Sequence, residues 1–338
     1  MSETPAPPKM ANTKPARRWQ DLDLRALAPF VALAVLMAVG YLVNSRFIDL
    51  DNLSNVLARS AFIATIAVGA TFVITAGGLD LSVGSMAALI AGTMILFFNG
   101  AYITDGYGLL ATGMALAVGL GVLCGVANGL GVTAGRLEPF IVTLGTMAIY
   151  RSLLIWLADG GSIAMKSLAL RGEYRPVYFG TIFGVPFPVI VIIAVALIGA
   201  FLLYRTTFGR HVMAVGSNED VARYSGISVG RVRMLTYVIQ GVCVAIAVLV
   251  YVPRLGSATS TTGLGWELQA ITAVVVGGTA LRGGVGRIWG TICGALILEV
   301  IGNIMVLSNF ISENLVGAVQ GAIIIIAMLV QRSLARRT

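Results

Sequence analysis

Residues 209–229 read GRHVMAVGSNEDVARYSGISV, a polar stretch set between two long apolar runs, Val185 to Tyr204 and Met234 to Val252. Each run comes close to the roughly 20 residues a helix needs to cross about 30 Å of hydrocarbon. The stretch is therefore a loop between membrane spans, and the fold class is an all-α polytopic membrane protein. Arg205, Arg210, Arg223, Arg231 and Arg233 crowd the loop, and short arginine-rich loops stay on the cytoplasmic side. Within it, Ser217 can cap a short helix, Glu219 and Asp220 fall in the first turn where the macrodipole favours anions, and Gly226 can end it. A helix of about two turns does not stand alone in water. Val221, Ala222 and Tyr224 are thus either a contact face for a partner or part of an ordinary solvated loop.

Composition agrees with a membrane class: 57% hydrophobic and 11% charged residues over 338, with mean hydropathy +0.91, lie far outside the soluble range. The net charge of +8 does not indicate nucleic acid, because the basic residues collect in short loops where membrane orientation explains them. Cys124, Cys243 and Cys293 each sit inside an apolar run without metal or redox spacing, and His211 has no second ligand near it. No metal site is expected. There is no HExxH and no nucleophile with a plausible base, so a membrane enzyme is disfavoured. A phosphate loop is also missing, since Lys9, Lys14 and Lys166 never follow glycine.

Residues 1–25 are polar, basic and proline-bearing without the apolar core of a cleavable signal, and read as a disordered cytosolic tail. Residues 26–332 form the membrane domain, with 205–233 as its cytosolic loop, and 333–338 a short cytosolic end. Apolar runs follow at Ala26 to Val43, Val56 to Thr75, Val83 to Phe98, Leu109 to Val132, Phe140 to Leu157, then the two flanking the loop, then Ile288 to Leu307 and Leu315 to Val330. Pro139 suits a helix start. Trp266 to Val276 is apolar but too short to cross unaided. Counting both short segments gives about ten crossings, which puts both termini and most of the 23 basic residues on the cytoplasmic side.

Gly77, Gly78, Leu81 and Gly84 recur as Gly277, Gly278, Leu281 and Gly284 at a constant offset of 200. Glycine-interrupted segments in corresponding halves are expected where broken helices line a transport pathway. Asp80 lies in the first break, and a carboxylate at the membrane centre costs about 2.5 to 3.5 kcal/mol. Asp80 or Ser82 can cap the helix that follows, so the break, with Ser85 just beyond it, is either part of a pathway or a structural cap. Glu299 and Asn303 share a face of the ninth span and either line the pathway or bond neighbouring helices. Asn128 reads as a packing hydrogen-bonder. Between Asp159 and Gly184, Tyr174, Arg175, Tyr178 and Phe179 fit either a docking surface or an interfacial aromatic belt.

The segment GRHVMAVGSNEDVARYSGISVGRVR resembles the cytoplasmic coupling segment of membrane permeases in bacterial sugar ABC importers, the family of the ribose importer permease. GGLDLSVGS at 77–85 and VVVGGTALRGGVGRIWGT at 274–291 resemble the same family, in the same order. The resemblance begins at about Asp51 and runs through nearly all of the remaining chain. It implies an alternating-access permease subunit for a monosaccharide or related polyol in the bacterial inner membrane. Gly216, Ser217, Asn218, Glu219, Asp220, Ala222, Tyr224, Ser225 and Gly226 would dock a separate cytosolic ATPase. That partner would hold the ATP and Mg, with no cofactor on this chain. A soluble substrate-binding protein and a second permease, identical or related, would complete the assembly. Gly77, Gly78, Asp80, Ser82, Ser85, Gly277, Gly278, Glu299 and Asn303 are the candidates for the pathway. The competing expectation is an ion-coupled secondary sugar transporter, for which only Asp80 and Glu299 offer intramembrane ionisable groups. Nothing in the sequence separates pentose, hexose, cyclitol or an autoinducer-type furanosyl.

Overall fold

Inside hydrocarbon each backbone amide must find its partner within its own segment, so every apolar run closes into a helix. The computed structural model describes residues 24–100 and 106–308, together with 315, 317–319, 321–323 and 325. Its first half comprises α1 (Leu24–Val43), a 3₁₀ turn (Ser45–Ile48), α2 (Leu50–Thr75), α3 (Val83–Gly100), α4 (Gly106–Thr133) and α5 (Pro139–Leu157). A folded connection follows: β1 (Ser162–Ala164), α6 (Leu168–Tyr174), α7 (Pro176–Phe179), β2 (Thr181–Ile182) and β3 (Val185–Pro186). The chain continues through α8 (Phe187–Arg205), α9 (Thr207–Ser217), α10 (Glu219–Tyr224), α11 (Val229–Leu255), β4 (Ser257–Thr259), α12 (Trp266–Val276) and α13 (Ile288–Ser308).

Among the described residues, seven helices (α2, α3, α4, α5, α8, α11 and α13) are long and apolar enough to cross a membrane, with Leu27–Val43 and Trp266–Val276 as shorter apolar helices. Half of the last expected span, residues 1–23 of the N-terminal tail and the C-terminal end lie outside the described residues. Helix α2 is the most buried span and packs against α8, α11, α12 and α13. Its threonines suit that burial because Thr65, Thr71 and Thr75 return their hydroxyl protons to the carbonyls of Ala61, Ala67 and Thr71. No polar hydrogen is left facing hydrocarbon there. Helices α4 and α11 approach almost backbone to backbone, since a Cβ on Gly121 would strike the carbonyl oxygen of Gly241, the kind of contact small residues permit between membrane helices.

Helices α2 and α12 end in the same way. After the first, Gly77 takes φ +82°, its amide bonds the Ile74 carbonyl and that of Gly78 bonds Val73. After the second, Gly278 takes φ +84°, its amide bonds Val275 and that of Thr279 bonds Val274. This is the left-handed glycine termination of a helix. The geometric correspondence pairs Gly77 with Gly278, one residue away from the offset seen in the letters, because Ala76 stands where the second helix end has Gly277.

At the opposite face from α9 and α10, the 158–186 connection is ordered. Strand β1 pairs antiparallel with β4, Ile163 opposite Ala258, which ties it to the segment after α11. Ser167 caps α6 by accepting the Leu170 amide. Strands β2 and β3 form a hairpin whose turn residues Phe183 and Gly184 both have positive φ, as a two-residue turn of this hand requires.

Candidate functional site

Helix α9 begins where the Thr206 hydroxyl accepts the Gly209 amide at 3.2 Å. It buries Val212 and Val215 while Arg210 and His211 face outward. The cap of α10 is Asn218, whose Oδ1 accepts the Val221 amide at 3.0 Å. This corrects the expectation for Ser217: it is the last residue of α9, and its hydroxyl donates to the Met213 carbonyl. An amide side chain one residue later has the reach to the third amide of α10. At the other end Gly226, at φ +80°, terminates α10 as the sequence suggests, with the Ile227 amide bonded to the Ala222 carbonyl. Ser225 returns its hydroxyl to Val221.

Glu219 is clamped from two sides. Its Oε1 accepts from Arg223 Nη2 at 2.6 Å and its Oε2 from Arg233 Nη2, on α11, at 2.7 Å. These charge-assisted bonds hold α10 against α11. Ala222 is buried at 2% exposure and serves that packing, so it is not part of an outward contact face. What α10 presents outward is Asp220, Val221 (59% exposed) and Tyr224 (90% exposed). Gly216 also turns inward, against Thr75 and the 283–284 turn.

The pathway candidates separate into two groups. Asp80 is buried, and its Oδ1 accepts both the amide and the hydroxyl of Ser82, at 2.9 and 2.6 Å. Asn128 Nδ2 approaches both carboxylate oxygens and donates to Ser82 Oγ at 2.8 Å. Tyr150 reaches Asn128 Oδ1, Tyr237 donates to the Leu79 carbonyl, and Ser85 donates to Ser82 O. The chain break is thus braced by α4, α5 and α11 together. Asn128 was legible only as a packing residue, and Tyr150 and Tyr237 carried no signal, because their partners lie 22 or more positions away.

Glu299 and Asn303, by contrast, face α2: Glu299 stands 3.8 Å from Arg59, and Asn303 exchanges two hydrogen bonds with Asn52. They join α13 to α2 far from Asp80 in the fold's connectivity. A further residue that sequence reading passed over is Arg151, on α5, whose Nη1 donates to the carbonyls of Ser260 and Thr262 at 2.7 and 2.6 Å. It pins the irregular segment before α12.

In the 158–186 connection, Tyr174 and Tyr178 are buried. Tyr174 donates to the Leu249 carbonyl, so both aromatics pack rather than project. Arg175 lies over the exposed Phe179 ring at 4.9 Å. With Arg171 and Arg254 they surround a cavity of about 490 Å³. The three cysteines are free and buried, and no metal-binding cluster occurs among the described residues.

Comparison with known proteins gives these elements a context. The family described as branched-chain amino acid transport system / permease component matches residues 52–328. The ribose import permease protein RbsC of Bacillus subtilis is 36% identical over 91% of this chain and 93% of its own. The D-allose transport system permease protein AlsC of Escherichia coli K12 is 34% identical over 81% and 82%. The xylose transport system permease protein XylH of Haemophilus influenzae is 31% identical over 84% and 90%. Among solved structures, an inward-facing metal-chelate type ABC transporter superposes with a TM-score of 0.52 at 13% identity, covering 94% of this chain and all of that one; that likeness concerns the fold alone. From the span of the family match and from these relatives, the chain belongs to the ABC importer permease family that includes the sugar permeases.

Proposed function

We propose that the chain is the membrane-spanning subunit of an ATP-driven importer for a monosaccharide or related polyol, opening its pathway alternately to either side. The relatives named for ribose, allose and xylose support the substrate class, and nothing in the comparisons points to ion coupling. The observation that carries the reading is α10: a six-residue helix too short to persist alone, held in place by the Glu219 clamp while Val221 and Tyr224 stay outside. A helix kept rigid with an apolar and aromatic tip in solvent is built to be covered by a partner. That partner is a separate cytosolic ATPase carrying ATP and Mg. The arginines around α9 and α10 support a cytosolic position for this face, and an even number of crossings would put both termini on the same side.

On the opposite face, the cavity bounded by Arg171, Arg175, Arg254 and Phe179 suits acidic side chains of a soluble substrate-binding protein. Helix α5 leaves Ile141, Leu144, Ile149, Leu153 and Trp156 exposed, and Ala148 and Ser152 with Ile149, Leu153 and Trp156 line a shallow groove of about 440 Å³. We assign this face to the second permease subunit, whose helix could approach over the small residues. The Asp80 break braces the pathway wall. The test is purification of the chain with its natural partners, unaltered and as Val221→Asp/Tyr224→Ala. The reading expects an ATPase to accompany the unaltered chain and to be lost from the variant. An ATPase retained in full by the variant would refute the role of α10.

A further inference from the structure

Three stretches far apart in sequence close on one another at the root of α10. The carbonyl of Thr75, at the end of α2, accepts the amide of Gly284 at 2.9 Å. Gly216, in the last turn of α9, is wedged against that bond: a Cβ there would strike Thr75 O and stand 2.6 Å from Gly284 N. From the other side, a Cβ on Gly283 would stand 2.7 Å from the Gly216 carbonyl oxygen, and one on Gly284 would meet Ser217 Oγ. Gly77, the left-handed residue that ends α2, has Gly216 Cα as the nearest atom to its Cβ position, at 3.9 Å. The contact continues through Thr75, which bonds Thr71, whose hydroxyl lies 2.9 Å from that of Thr291 on α13.

Contacts of backbone on backbone have no rotamers through which to yield. A side-chain interface can absorb a small shift by repacking, whereas this one must either move whole or lose the Thr75–Gly284 bond, and close-packed elements transmit displacement for that reason. We propose that this joint makes α9, α10 and both helix breaks, residues 77–82 and 277–287, move as one body. Gly216 is then a positioning residue that converts a single displacement of α10 into simultaneous movement of both breaks. The inference rests on the reading of α10 as the ATPase contact and adds how its movement reaches the pathway.

The test is Gly216→Ala in the complete importer, reading labelled sugar accumulated per ATP hydrolysed. Because Asp220, Val221 and Tyr224 are untouched, the ATPase is expected to remain bound and hydrolysing, while sugar moved per ATP falls roughly tenfold. A ratio unchanged within about twofold overturns the joint, whereas a simple loss of stability would lower yield without changing the ratio. Should the variant not assemble, hydrogen exchange of the unaltered complex decides. On addition of a non-hydrolysable ATP analogue, peptides covering 75–80, 214–218 and 281–286 are expected to change together, and a change confined to one overturns the proposal. The separate Val221/Tyr224 experiment distinguishes failure of the joint from failure of the α10 assignment.

Discussion

Glu219→Ala removes both ends of the clamp that holds α10. The bond to Arg223 is a solvated pair one helical turn apart, with the arginine side chain 65% exposed, and such pairs contribute about 0.3 to 0.5 kcal/mol. The bond to Arg233 is more shielded, at 26% exposure for the arginine side chain and 35% for the glutamate. As a charge-assisted bond spanning two helices it contributes about 1 to 1.5 kcal/mol. Together they amount to about 1.3 to 2 kcal/mol, and since α10 otherwise buries only Ala222 among its side chains, the loss acts on its local opening. Amide exchange of a peptide covering 218–226 should therefore speed up by roughly ten- to thirtyfold, with exchange in the middle of α11 unchanged. Asp220→Ala, which removes no ion pair among the described residues, should change that exchange by a few-fold at most through the helix dipole. Exchange in the Glu219 variant within about twofold of the unaltered protein would refute the idea that the clamp holds α10.

The buried chain break gives a second expectation: Asn128→Ala strips a donor from Asp80 and Ser82, costs about 1 to 3 kcal/mol, and lowers the unfolding midpoint in detergent by several degrees. Asn303→Ala, at the half-exposed pair with Asn52, costs only about 0.6 kcal/mol and should barely move that midpoint. Gly121→Leu forces α4 off α11 and is expected to cost at least about 2 kcal/mol, visible as aggregation in size-exclusion chromatography, while Gly119→Leu, whose Cβ position faces open space, should elute normally. Arg151→Gln frees the segment before α12, so limited proteolysis should cut within 257–265 faster than in the unaltered chain.

Spans such as α2, α8 and α11 were legible because hydrocarbon demands long apolar runs, and a run of that kind has one backbone solution. The ends of α10 were half legible. Gly226 terminates it as read, but Ser217 lost the cap to Asn218, since serine and asparagine are equally good caps and only the preceding α9 decides between them. That helix was itself missed, its eleven residues being too polar to read as a span. The glycine echo pointed to two real helix breaks with the register displaced by one, because letters do not record which glycine takes positive φ. Asp80 was read as either pathway or cap, and the structure adds the donors that hold it, from Asn128 on α4 and Ser82 beside it. The joint of Thr75, Gly216 and Gly284 was invisible for a simple reason: backbone contacts between segments far apart in sequence leave no pattern other than glycine.

The most direct test of the account is accumulation of labelled ribose, xylose or allose in membrane vesicles carrying the chain with its natural partner subunits and binding protein. The account predicts uptake of at least one such sugar that persists when ionophores collapse the proton and sodium gradients and stops when ATP is removed. Uptake that follows an ion gradient in vesicles free of ATP would contradict it.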